Sequence, residues 1–108
     1  MALTRDFRVS VQTRAQRDSS FRKGLLRDAV ETLLEGHVAL GTELLRDYIN
    51  ATIGFPRLAA QTGIHVNSLH QMFGPRGNPT ASKLFEIVAY LQQQEGIRLR
   101  ARADRAVA

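Results

Sequence analysis

Apolar residues recur every third or fourth position along most of this chain, and each such run stops at a glycine. That period stacks side chains on one face of an α-helix. A glycine just past a run supplies the left-handed residue on which helices often end. The first run holds Phe21, Leu25, Leu26, Ala29, Val30, Leu33 and Leu34, with Ser19 or Ser20 placed to cap its start and Gly36 at its end. The second covers about Val38 to Thr52, with Leu40, Leu44, Leu45, Tyr48 and Ile49 as the expected buried face, and closes at Gly54. Pro56 suits the first turn of a short third helix, where its missing N–H costs nothing. That helix contains Leu58, Ala59 and Ala60 and stops at Thr62-Gly63. A fourth runs from about Val66 to Phe73. Gly74-Pro75-Arg76-Gly77-Asn78-Pro79 then reads as a loop. Thr80 caps a fifth helix, whose Leu84, Phe85, Ile87, Val88 and Leu91 point inward before Gly96 ends it. The pattern predicts an all-α, five-helix domain over residues 20–96.

The two ends differ in character. Residues 1–19 are polar, basic and weakly periodic, as in an arm or a frayed helix. Residues 97–108 form a basic tail in which Ile97-Arg98-Leu99-Arg100 alternates apolar with basic, the period of a short edge strand or an extended segment. A length of 108 residues fits one domain, and 44% hydrophobic content suits a packed core. Cysteine is absent, which excludes disulfide frameworks and thiolate zinc sites. No apolar run approaches the ~20 residues of a membrane span, and the first residues lack the apolar centre of a signal peptide. The expectation is a cytoplasmic protein that does not engage a membrane.

Charge is distributed unevenly. The net charge of +5 favours polyanionic partners. Residues 1–23 hold six basic and two acidic side chains, whereas residues 24–50 hold two basic and five acidic. Residues 51–79 contain Arg57 and Arg76 and no acid at all. A phosphate backbone can approach this middle segment without repulsion.

The same segment carries the most constrained spacing. Two short helices joined by a tight glycine turn make a helix-turn-helix. Its steep crossing needs a small residue, met by Ala59, and its turn needs a residue tolerant of positive φ, met by Gly63 four positions on. Ile64 plugs the corner, Leu69 anchors the second helix inward, and Leu58 and Met72 complete the inner face. This spacing also occurs in helix pairs that bind nothing, and that reading stays open.

On these residues the chain resembles the small bacterial DNA-binding proteins of the Cro/C1 helix-turn-helix class, and more closely the prophage-type regulators known as antidotes of addiction modules. The resemblance is carried by Leu45-Arg46-Asp47-Tyr48-Ile49-Asn50-Ala51, Leu58-Ala59-Ala60-Gln61-Thr62-Gly63-Ile64, Ser68-Leu69, Gly77-Asn78-Pro79-Thr80 and Leu84-Phe85-Glu86-Ile87-Val88. It implies a lambda-repressor-like fold and transcriptional regulation, with a toxin as a further partner in such modules. His65 departs from the serine or threonine cap usual before the recognition helix, and Pro56 from a polar residue.

In the helix-turn-helix geometry the second helix enters the major groove with its N-terminal residues on the base edges. The candidate base readers are therefore His65, Val66, Asn67, Ser68, His70 and Gln71. Asn67 and Gln71 lie four apart on one helix face and match the bidentate recognition of adenine, while Val66 suits a thymine methyl. Polar residues here also fit a plain solvated helix face. Candidate phosphate contacts are Arg57, Arg76, Asn78, Thr80 and Lys83, with Asn78 and Thr80 serving equally as turn and cap. Tyr48, Phe55, Phe73 and Phe85 read as core. His37, His65 and His70 lack the company of a metal site. No nucleophile–base constellation and no glycine-rich phosphate cradle occurs, so neither an enzyme nor a cofactor is expected. The leading expectation is a sequence-specific repressor acting on double-stranded DNA as a homodimer, with recognition helices about 34 Å apart. Candidate dimer surfaces are the first helix, the end of the fifth and an edge strand at Ile97–Leu99. The alternatives are an antitoxin that chiefly masks a toxin protein and a nonspecific nucleic-acid binder.

Overall fold

A computed structural model describes residues 5–106, and residues 1–4 of the expected arm and 107–108 of the expected tail lie outside it. The described chain is all-helical: α1 Arg5–Arg17, α2 Ser19–Leu34, α3 Val38–Ala51, α4 Phe55–Thr62, α5 Val66–Met72 and α6 Ala81–Glu95, with no strand among the described residues. No helix in this range is long and apolar enough to cross a membrane.

Six helices stand where five were expected, because most of the basic N-terminal arm folds as α1. Of its described side chains only Ala15 is fully buried, while Phe7 and Val9 are half exposed, which is why no apolar stripe announces it. Polar contacts hold its end in place. Asp18 donates its N–H to Arg14 O (2.9 Å), and its carboxylate accepts from Phe21 N (3.1 Å), capping α2. Asp18 thus takes the role expected of Ser19 or Ser20. The Arg14 guanidinium lies 4.4 Å from the Phe21 ring centroid.

The core draws Leu26 and Ala29 from α2, Leu45, Tyr48 and Ile49 from α3, and Phe55 and Leu58 from α4. Leu69 and Phe73 come from α5 and its cap, and Leu84, Ile87, Val88 and Leu91 from α6. Three apolar assignments fail: Leu34, at the end of the first stripe, is 68% exposed, Leu40 50% and Phe85 53%. Leu40 sits in the first turn of α3, and Phe85 lies between the core positions Leu84 and Ile87, just off the packed stripe. At the close approach of α2 and α3, a Cβ on Gly41 would meet the Leu33 side chain at 2.6 Å.

The described part of the tail, residues 97–106, forms no edge strand. Ile97 N donates to Gln92 O (3.0 Å) and Leu99 N to Gln92 Oε1 (2.8 Å), so the segment folds back along α6 instead of pairing sideways. Ile97 and Leu99 pack on the core while Arg98 and Arg100 face solvent, in keeping with their alternation.

Candidate nucleic-acid interface

The sequence sets the α4–α5 corner by a few local rules. Gly54, at φ 79°, ends the α3 turn by donating to Ile49 O (2.8 Å) and opens α4. Gly63, at φ 75° and ψ 5°, is the left-handed residue that stops α4, with its N–H on Ala59 O (2.9 Å). Thr62 Oγ1 donates to Leu58 O (2.8 Å) and accepts from Ile64 N (3.3 Å), which fixes the turn from inside. Ile64 is buried beneath it. His65 then caps α5 through Nδ1, which accepts from Asn67 N (3.1 Å). The departure at His65 is therefore chemically silent at the cap, since an unprotonated ring nitrogen replaces a hydroxyl as acceptor.

Beyond the cap, α5 divides into two faces. Leu69 is fully buried and Val66 and Met72 pack half-buried against the core. Asn67, Ser68, His70 and Gln71 are exposed. The side chains of Asn67, Ser68 and Gln71 form no hydrogen bond within the described residues. His70 is braced: its ring centroid lies 4.9 Å from that of Phe55, which in turn stacks against Phe73 at 5.7 Å. Val66 is thus more a packing residue than its exposed neighbours, whereas Asn67 and Gln71 stand outward together.

The loop after α5 is held by a close backbone approach. A Cβ on Gly77 would fall 2.2 Å from Met72 O and 2.5 Å from Gln71 O, so only glycine lets the loop turn against the end of α5. Thr80 caps α6 by accepting from Lys83 N (3.2 Å). Lys83 pairs with Glu86 at 3.6 Å. Arg57 and Arg76 are exposed and form no ion pair among the described residues. The five candidate phosphate ligands do not form one cluster. Arg57 lines a cleft with the ends of α1, α3 and α6, near Gln16, Thr52 and Gln94, while Asn78 lines a different cleft against the start of α3.

From Tyr48 to Phe85 the sequence contains no carboxylate, so α4, α5 and the loop between α5 and α6 carry no negative side chain. Sequence reasoning missed Arg46, whose Nη1 reaches Phe73 O at 3.5 Å and so approaches the end of α5 from α3. Its place between Leu45 and Asp47 reads as a solvated helix position, and nothing local distinguishes it. Sequence reasoning also missed the Arg22–Glu95–Tyr48 cluster, whose members are far apart in the chain. Arg22 Nε donates to Glu95 Oε1 (3.0 Å) and Oε2 (3.3 Å), Tyr48 Oη donates to Glu95 Oε1, and Arg22 Nη1 donates to Ala15 O (2.6 Å). Burial, followed by the hydrogen bond to Glu95, pushes the Tyr48 phenol far above its ordinary range.

No family model, no curated protein and no solved structure matches this chain.

Proposed function

We propose that this protein is a DNA-binding regulator that presents α5 to the major groove as the second helix of a helix-turn-helix. One observation carries the reading: Asn67 and Gln71 project one turn apart from a short helix buried along its opposite face, with no side-chain partner among the described residues. Unsatisfied amides at that spacing have the donor–acceptor pattern that reads adenine. The absence of any carboxylate from Tyr48 to Phe85 keeps a phosphate backbone from being repelled. Arg57 on α4 and Arg76 in the loop after α5 are exposed, without an ion pair among the described residues, and supply contacts that fix register without reading sequence.

Selection of bound sequences from a random duplex pool with the purified protein provides the site. On that site Asn67→Ala and Gln71→Ala each lose about 1–3 kcal/mol, with little change on random DNA, whereas Arg76→Ala weakens both alike. No enriched sequence, or enrichment that survives both alanine changes, overturns the assignment.

One feature favours a second reading, that of a protein-binding antidote. Leu34, Val38 and Leu40 gather at the α2–α3 corner with exposures of 68, 53 and 50%. Apolar side chains this open suit a protein partner more than a duplex. Replacing all three with serine separates the readings: the regulator retains its operator affinity, and an antidote loses its partner.

A further inference from the structure

A shallow apolar hollow lies beside the start of α5. Pro56 and Ala59 of α4, Gly63, Ile64 and His65 of the turn, and Val66 of α5 line it. Pro56, Gly63 and His65 are exposed, Ala59 and Val66 are half-buried, and Ile64 belongs to the core. Much of the polar capacity of this wall is absent or committed. Pro56 has no N–H, Gly63 N donates to Ala59 O (2.9 Å), Ile64 N donates to Thr62 Oγ1 (3.3 Å), and His65 Nδ1 accepts from Asn67 N (3.1 Å). Such a surface gives up little hydration when an apolar group covers it. Its six residues are far fewer than the roughly 20–30 a side of a stable protein interface, so the hollow fits a small apolar group and not a folded partner. Asn67 follows Val66 directly, so the hollow adjoins the face that bears the two amides.

We propose that this hollow receives the C5 methyl of a thymine, in the base pair beside the adenine that Asn67 reads. The inference rests on the reading of α5 as the major-groove helix and adds to it a group that no amide can recognise. Thymine is the base whose methyl stands in the major groove, where an apolar side chain can meet it. Pro56 from α4, Ile64 from the turn and Val66 from α5 supply apolar walls on three sides of the chain corner. Val66 lines the hollow while it packs half-buried on the core, so its position is held from behind. No carboxylate between Tyr48 and Phe85 opposes the phosphates on either side of that base. One methyl buried against an apolar wall changes affinity by about fourfold to tenfold.

The test takes the duplex that the full-length protein selects from a random pool and exchanges its thymines for uracil, one position at a time in each half-site. Uracil pairs as thymine does and lacks only the methyl. Exchange beside the adenine is expected to weaken binding by about fourfold or more, and exchange elsewhere by less than about twofold. Val66→Ala and Pro56→Ser each bring the thymine-to-uracil ratio at that position below about twofold. The ratio is taken within one protein, so a general loss of affinity cancels. Pro56 is exposed in the first turn of α4, so Pro56→Ser folds even if Val66→Ala does not. A pool with no enriched sequence overturns both this inference and the reading beneath it. A site in which every uracil exchange is silent, or a ratio unchanged in both variants, overturns the inference alone and leaves the amide pair standing. Loss of a dimer in Val66→Ala by light scattering, with the uracil ratio intact, gives the hollow to a second copy of the chain and likewise overturns it.

Discussion

His65 shows how a residue can look wrong for its position and still meet the physical demand placed on it. The α5 cap asks for one acceptor aimed at Asn67 N, and Nδ1 supplies it at 3.1 Å. Removing that acceptor with His65→Ala costs about 1 kcal/mol of stability, and His65→Asn retains most of it, as read from urea midpoints. Equal midpoints for the alanine and asparagine variants show that the cap is dispensable. Tyr48 makes a second residue-level prediction. Its folded-state phenol is raised above the ordinary value of 10.0, chiefly by burial and then by Glu95. A raised group gives stability that is fully present below the unfolded value and disappears as pH rises past it. Stability therefore falls above about pH 10, and Tyr48→Phe flattens that fall. Denaturant midpoints for both proteins on either side of pH 10 check it.

The helices that were legible in the sequence are those whose apolar spacing and terminal glycines agree. For α3, α4, α5 and α6, the stops at Gly54, Gly63 and Gly96 and the cap at Thr80 all appear as read. The candidate base readers other than Val66 fell on an exposed face because Leu69 and Met72 fix which side of α5 turns inward, and Val66 packs half-buried on that inner side. Illegible features depend on contacts between distant segments. α1 buries little of itself and is held by Arg22 and Asp18, which no periodicity reveals. Arg46, Thr42 and Asn78 meet in one cleft only after the α5–α6 loop folds over α3. The tail was half legible: its alternation is real, but Gln92 engages Leu99 N and turns the segment from an edge into a strap. Truncation after Gly96 removes the packing of Ile97 and Leu99 and costs about 2 kcal/mol, whereas truncation after Arg100 leaves stability nearly unchanged. Thermal melts of the two truncations decide the point, and equal losses would show that the strap does not hold.

For the molecule as a whole, the acid-free corner and the charged cluster divide the labour. The corner carries no carboxylate and leaves Asn67, Ser68 and Gln71 exposed. The cluster joins α1, α2, α3 and α6 through Glu95, whose side chain is only 6% exposed. Arg22→Ala strands that carboxylate and is expected to cost about 3 kcal/mol, while the double change Arg22→Ala with Glu95→Gln recovers part of the loss. Chemical denaturation of the wild type, both single variants and the double variant measures the coupling, and simple additivity would rule it out. The cluster also has a kinetic consequence. Arg22 and Glu95 are 73 residues apart, so their bond closes a loop through most of the chain. Amide protons of α2 and of late α6 should therefore exchange with solvent at one shared rate, because neither end can fray until the clasp between them has let go.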